Sequence, residues 1–129
     1  MGFIDTIYEA AKKRKQRVAV PECTNPSMMR ACVKAAGDGI ADILFVGDAK
    51  TCRRVAQENE IDLSGVQIAD IADADYQTEL LEKYDALPKK VLGKKSVAKR
   101  MDQPLYMALV MEAVGDADCT FGGLDTTTY

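Results

Sequence analysis

Gly39-Ile40-Ala41-Asp42-Ile43-Leu44-Phe45-Val46-Gly47-Asp48 decides the fold. From Ile40 to Val46 only Asp42 is polar, a pattern that suits a strand buried on both faces of a parallel sheet. Downstream, Gly47-Asp48 turns the chain into a helix capped by Asp48, with Cys52, Val55 and Ala56 facing inward. Upstream, Asn25 caps a helix that starts at Pro26. Met28, Met29, Cys32, Val33 and Ala36 form its apolar face, and Gly37 or Gly39 ends it. Before that helix, Arg17 to Pro21 reads as a short strand built on Val18, Ala19 and Val20. Further out, Phe3, Ile4, Ile7, Tyr8 and Ala11 recur at helical spacing, with Lys12, Lys13, Arg14 and Lys15 where cations suit a helix C-terminus.

The same alternation continues to the other end. Val66 to Ala69 reads as a weaker strand, and Tyr76, Leu80, Leu81 and Tyr84 mark another helix. Pro104 starts a helix carrying Leu105, Ala108, Leu109 and Val114, and Gly115 closes it. Cys119 to Phe121 reads as a last buried strand. Strands separated by helices of about ten residues are βαβ units, which need a parallel sheet. The expected fold is α/β: a three-layer, open, mainly parallel sheet with helices on both faces, in one domain over residues 1–129.

Composition narrows the function classes. The chain has 129 residues, 47% of them hydrophobic and 29% charged, which is ordinary for a globular domain. No run approaches the ~18 apolar residues of a membrane span, and Met1-Gly2-Phe3-Ile4-Asp5 does not open a signal peptide. The four cysteines, at 23, 32, 52 and 119, show no CxxC spacing, so free thiols in a reducing cytoplasm are expected. Cys32 and Cys52 read as core residues, and Cys23 as the most exposed thiol. Histidine is absent, which removes Ser-His-Asp and Cys-His nucleophile pairs and most zinc sites.

The net charge of −3 is unevenly spread. Between Lys83 and Arg100 stand seven basic residues and one acid, Asp85, which leaves ten basic and nineteen acidic residues elsewhere. A basic segment on an acidic body suggests attraction of an anionic ligand or a solvated lysine-rich loop and helix face, not nucleic-acid affinity. Base-stacking aromatics are missing from its centre.

Three segments present chemistry. Gly122-Gly123-Leu124-Asp125-Thr126-Thr127-Thr128 follows the last strand, so its backbone N–H groups and hydroxyls suit an anion. The alternative there is a glycine turn with Thr caps. Pro21 to Ser27 lies at another strand-to-helix junction, where a helix N-terminus attracts anions or simply carries a cap. Asp116 and Asp118 can be imagined as an acid/base pair, but turn chemistry explains them better.

Taken together, these segments resemble the phosphate acyltransferase family. The resemblance spans essentially the whole chain. It rests on Val18-Ala19-Val20-Pro21-Glu22, Asp38 to Gly47, Gly93-Lys94-Lys95-Ser96-Val97, Pro104 to Asp118 and the Gly-Thr patch. It implies reversible acyl transfer between acyl phosphate and coenzyme A. Coenzyme A acts there as a substrate and is not a tightly held cofactor; acetyl phosphate and phosphate are the other small-molecule partners. It also implies direct attack of the thiol, a cleft between two α/β domains, and homodimers.

Position by position, Gly122 falls where the family usually has Ser, and Gly123 matches its Gly. Thr126 falls where a His is frequent, while Thr127 and Thr128 match a Ser/Thr pair. Lys90 falls near a substrate-contacting Arg, and Lys gives up the bidentate geometry Arg offers a phosphate. Ser27 stands where many relatives have Arg. The resemblance thus assigns ligand contacts to Gly122, Gly123, Thr126, Thr127, Thr128 and Lys90, and neither a catalytic residue nor a metal ligand to this chain. The Asp-x-x-Arg expected beyond Tyr129, and the later Ser-Arg and Asp that carry the chemistry, are not in the sequence. The expectation is therefore an N-terminal part that does not catalyse acyl transfer alone. The competing readings are a non-catalytic oligomerising or binding module and, more weakly, a generic nucleotide-binding domain, which lacks a G-x-G-x-x-G after a strand.

Overall fold

The computed structural model describes residues 16–21, 23–90 and 92–121. Strand β1 (Gln16–Val20) lies parallel to β2 (Ala41–Gly47), with Val18 opposite Ile43 and Val20 opposite Phe45. Strand β3 (Gln67–Asp70) adds parallel to the far side of β2, and β4 (Cys119–Thr120) pairs parallel with β1. The spatial order is β3-β2-β1-β4.

Alternation along β1 and β2 divides the core in two. Val20, Ile43 and Phe45 point to one face, where Met28, Met29 and Cys32 of α1 (Pro26–Gly37) and Cys52 and Ala56 of α2 (Ala49–Glu58) cover them. Ala19 and Val46 point to the other. There they meet Leu80 and Tyr84 of α3 (Ala74–Asp85), Val97 of α4 (Lys94–Ala98) and Met107, Ala108, Val110 and Met111 of α5 (Pro104–Val114). The expected open parallel sheet with helices on both faces is the fold observed. Strand β2 is buried on both sides because each of its faces is roofed by helices.

Local chemistry sets the helix ends. The Asn25 side chain accepts from Met28 N at 3.1 Å, and Pro26 occupies the first turn of α1. Asp48 accepts from Lys50 N and from the Thr51 hydroxyl, which holds its carboxyl below the usual carboxylate range. Asp73 caps α3 through Tyr76 N at 3.1 Å.

Several expectations are corrected. Val66 belongs to the turn closed onto Leu63 O, so β3 runs one residue later than the apolar pattern suggests. Leu109 is 45% exposed, because α5 is apolar almost all round and periodicity alone does not choose its inner face. The last strand is not buried. Cys119 and Thr120 are half-buried and Phe121 is 58% exposed, since among the described residues β4 has a strand partner on one side only. Cys23, the expected exposed thiol, is buried, and its sulfur is bonded to that of Cys52. The helical pattern over Phe3 to Ala11 and the Gly122–Thr128 patch lie outside the described residues.

Candidate functional site at the carboxyl edge of the sheet

From β1 the chain moves outward through β2 and β3, then returns to place β4 on the opposite side of β1. The helices change faces at the same point: α1 and α2 cover one face, and α3 to α5 the other. The carboxyl ends of β1 and β4 therefore form a topological switch point, where the connections leaving neighbouring strands diverge and open a crevice.

Three parts of the chain converge there. Because α5 leads into parallel β4, its N-terminus sits at the carboxyl edge, as does that of α1 after β1. Gly47 closes β2 against them: a Cβ on it would fall 2.8 Å from Cys23 Sγ and 3.9 Å from Pro104 Cγ. A side chain there would collide with Cys23 Sγ and merely touch Pro104, so glycine permits the loop after β1 to lie against the end of β2. Gln103, before α5, makes no side-chain cap, so the N–H groups of that first turn have no side-chain acceptor at the cap position. The Thr120 hydroxyl, at the end of β4, is buried and has no hydrogen-bond partner among the described residues.

Just before α5, Arg100 donates to Ser96 O at 2.8 Å and Ser96 Oγ at 2.7 Å, and its guanidinium lies 5.8 Å from the centre of the Tyr106 ring. It is thus oriented without a carboxylate among its described ion pairs. Lys94, Lys95 and Lys99 stand exposed around it. The edge combines helix N-termini, an oriented guanidinium and a lysine field, all of which favour anions.

The sequence profile of the phosphate acetyl/butaryl transferase family matches residues 2–129. The chain belongs to this family. The phosphate acetyltransferase of Acetivibrio thermocellus is 28% identical over 132 residues, covering 99% of this chain and 38% of the relative. That of Clostridium acetobutylicum is also 28% identical, covering 99% of this chain and 39% of the relative. Among solved structures, the fold matches an EutD phosphotransacetylase from Staphylococcus aureus with a TM-score of 0.81 at 15% identity, over 100% of this chain and 40% of that one. A phosphotransacetylase from Streptococcus pyogenes matches with a TM-score of 0.77, again over 40% of its length. The chain thus spans about two fifths of the length of these relatives.

Of the ligand contacts expected from the phosphate acetyl/butaryl transferase family, Gly122, Gly123, Thr126, Thr127 and Thr128 lie outside the described residues; they follow β4 in sequence. Lys90 is described, and it is engaged: its ammonium donates to Asp85 O at 2.6 Å and to Asp85 Oδ1 at 3.3 Å, fastening the end of α3. Contact with an anion requires it to leave these partners. Ser27 is exposed in the first turn of α1. Asp116 and Asp118 are structural, as expected. Asp118 accepts from Arg17 N at 2.8 Å and from its guanidinium, and these bonds hold its carboxyl below the usual range. Asp116 accepts from the Tyr76 hydroxyl at 2.9 Å and from Lys83 at 3.1 Å.

A cavity of about 400 Å³ opens on the β2–β3 side, with Arg17, Leu44, Gln67, Asp70, Tyr76 and Asp116 in its wall. Its carboxylates are committed: Asp70 receives Ala49 N and Ala72 N, and Asp116 is held as above. The carboxyl edge is the better candidate, because the start of α5 has no side-chain cap and the described ion pairs do not include Arg100. Arg100 and the bare start of α5 were missed in the sequence. The signal was present, a lone Arg at the end of a lysine run followed by Gln-Pro without a Ser, Thr, Asp or Asn cap, but the pairing with Ser96 and Tyr106 is tertiary.

Proposed function

We propose that this chain supplies the first half of a phosphate acetyltransferase site, holding the phosphate-bearing part of coenzyme A or of acetyl phosphate at the carboxyl ends of β1 and β4. The observation that carries the reading is the family match over residues 2–129 in a chain whose sheet has its switch point beside a cationic, donor-rich edge. In the reaction, the thiol of coenzyme A attacks the carbonyl carbon of acetyl phosphate. A C–S bond forms, the C–O bond to phosphate breaks, the thiol proton passes to a base and phosphate leaves. Such a step calls for donors at the departing phosphate and a base at the thiol. Among this chain's residues, the Gly122–Thr128 patch and the start of α5 suit the first task. Lys90, the remaining expected contact, is held by Asp85 at the end of α3. In this reading the chain, which spans about two fifths of its relatives' length, binds in the cytoplasm as one part of a cleft and does not turn over alone.

The test measures coenzyme A binding by calorimetry and acetyl-coenzyme A formation from acetyl phosphate, for the 129-residue chain and for its complex with the remainder of a family enzyme. Binding that Arg100→Ala and Thr127→Ala each weaken by about five- to tenfold, without turnover by the short chain, is expected (~1–1.4 kcal/mol per lost charge-assisted contact). Turnover at ordinary enzymatic rates by the short chain alone would overturn the assignment.

A second reading, a self-associating module, draws on an apolar groove of about 220 Å³ beside β1 and α1, where Phe121 stands 58% exposed. Light scattering over a range of concentrations tests it. A strictly monomeric chain removes its support.

A further inference from the structure

We propose that Cys23 and Cys52 are a reversible dithiol–disulfide couple that fastens the loop after β1 to helix α2. The two residues stand 29 positions apart, and their sulfurs are bonded across a Cα–Cα distance of 6.0 Å, well inside the range a disulfide spans. Cys23 lies where the chain leaves β1, and Cys52 lies on the first full turn of α2, at Asp48 O. The bond therefore links two consecutive βα connections at the carboxyl edge.

The same packing accommodates the reduced state. Cys23 Sγ lies 3.6 Å from Val46 O, and Cys52 Sγ lies 3.6 Å from Cys23 O. Each thiol thus has a carbonyl to donate to once the bond is broken, and neither is left as an unsatisfied buried group. Gly47 supports the arrangement, since any Cβ there would meet Cys23 Sγ. The other two cysteines are not so placed. Cys32 is buried and unpaired, with its thiol pushed up by burial, and Cys119 is half-buried on β4.

The oxidant is a low-molecular-weight disulfide such as oxidised glutathione. One cysteine thiolate attacks it, forming a mixed disulfide and releasing one thiol. The second cysteine then displaces the second thiol and closes the bond. Two electrons pass from the protein to the reagent, and the two thiol protons leave through solvent to the released thiolates. Both cysteines are buried, so exchange proceeds through local opening of the loop after β1.

The experiment equilibrates the chain in glutathione buffers from fully reduced to fully oxidised, quenches in acid, alkylates in denaturant and maps the peptides by mass. Four alkylated cysteines are expected at the reducing end and two at the oxidising end. A linked peptide pair should join Cys23 to Cys52, and dithiothreitol should restore all four thiols. The oxidised chain should melt on the order of 10 °C above the reduced one, given the length of the closed loop. Cys52→Ala should abolish the shift, and Cys32→Ala should retain it. Four alkylated cysteines at every ratio would overturn the proposal, as would a linkage through Cys32 or Cys119 or a glutathione adduct on Cys23 without the linked pair. The mapping uses the unmodified chain, so its result stands even if a variant does not fold.

Discussion

Tyr76, Lys83 and Asp116 meet where α3 passes the approach to β4. The Tyr76 hydroxyl donates to one Asp116 oxygen at 2.9 Å and Lys83 to the other at 3.1 Å. Burial first, and then Asp116, push the Tyr76 phenol well above its ordinary value of about 10. The folded chain therefore holds that proton where the unfolded chain has released it. The associated stability is present below pH ~10 and is lost as pH rises beyond it. Tyr76→Phe should lower the unfolding free energy by roughly 1 kcal/mol at pH 7 and flatten the alkaline decline, as read from urea titrations at several pH values. Asp118 shows the opposite sign. Its carboxyl is held low by the backbone N–H and guanidinium of Arg17, so its contribution is present above pH ~4 and lost as pH falls further. Asp118→Asn should flatten the acid limb of the same profile. At Gly47, alanine should cost about 1–3 kcal/mol, because its methyl falls 2.8 Å from Cys23 Sγ. A denaturation midpoint unchanged by Gly47→Ala would mean that the loop after β1 yields freely.

Three helices end in the same way, and the differences among them are informative. After α1, Gly39 adopts a φ of +74°, with Ile40 N reaching Ala35 O and Gly39 N reaching Ala36 O. After α5, Gly115 adopts a φ of +90°, and Asp116 N reaches Met111 O. These paired bonds satisfy the last carbonyls of each helix. After α2 the left-handed position is occupied by Glu60, at a φ of +56°, with Ile61 N reaching Ala56 O. A side chain there costs about 1 kcal/mol relative to glycine. Glu60→Gly should therefore stabilise the chain by about 0.5–1 kcal/mol, and Gly115→Ala should destabilise it by a similar amount, both read from thermal or urea midpoints. At the other end of α1, Asn25→Ala should cost about 1 kcal/mol by stripping the acceptor from Met28 N.

At the scale of the whole molecule, the return of the chain from β3 to the far side of β1 matters most. It brings α5 back onto the sheet and places its start against Gly47 and Cys23. The candidate anion site is a product of that crossover. If its field attracts coenzyme A, the affinity should fall several-fold between about 50 mM and 300 mM salt, because exposed lysines are screened at these ionic strengths. Salt-independent affinity would place the ligand elsewhere, for example in the β2–β3 cavity, where the charges are already paired.

Much of this was legible in the chain itself. The Ile40–Val46 run, the caps at Asn25 and Asp48, Pro26 and Pro104 at helix starts, and the closing glycines are short-range signals, each written in a few adjacent residues. They suffice for a parallel α/β fold and for several helix starts, but not for the short helix Lys94–Ala98 or the end of α2 at Glu60. The resemblance to the phosphate acyltransferases rests on the order of whole segments. Four matters depended on packing between distant segments: which side of the nearly all-apolar α5 faces the sheet, the exposure of Phe121, the engagement of Lys90 by Asp85, and the meeting of Cys23 with Cys52. No local pattern encodes these, because each arises when elements tens of residues apart are pressed against one sheet, and only the completed strand order β3-β2-β1-β4 determines who touches whom.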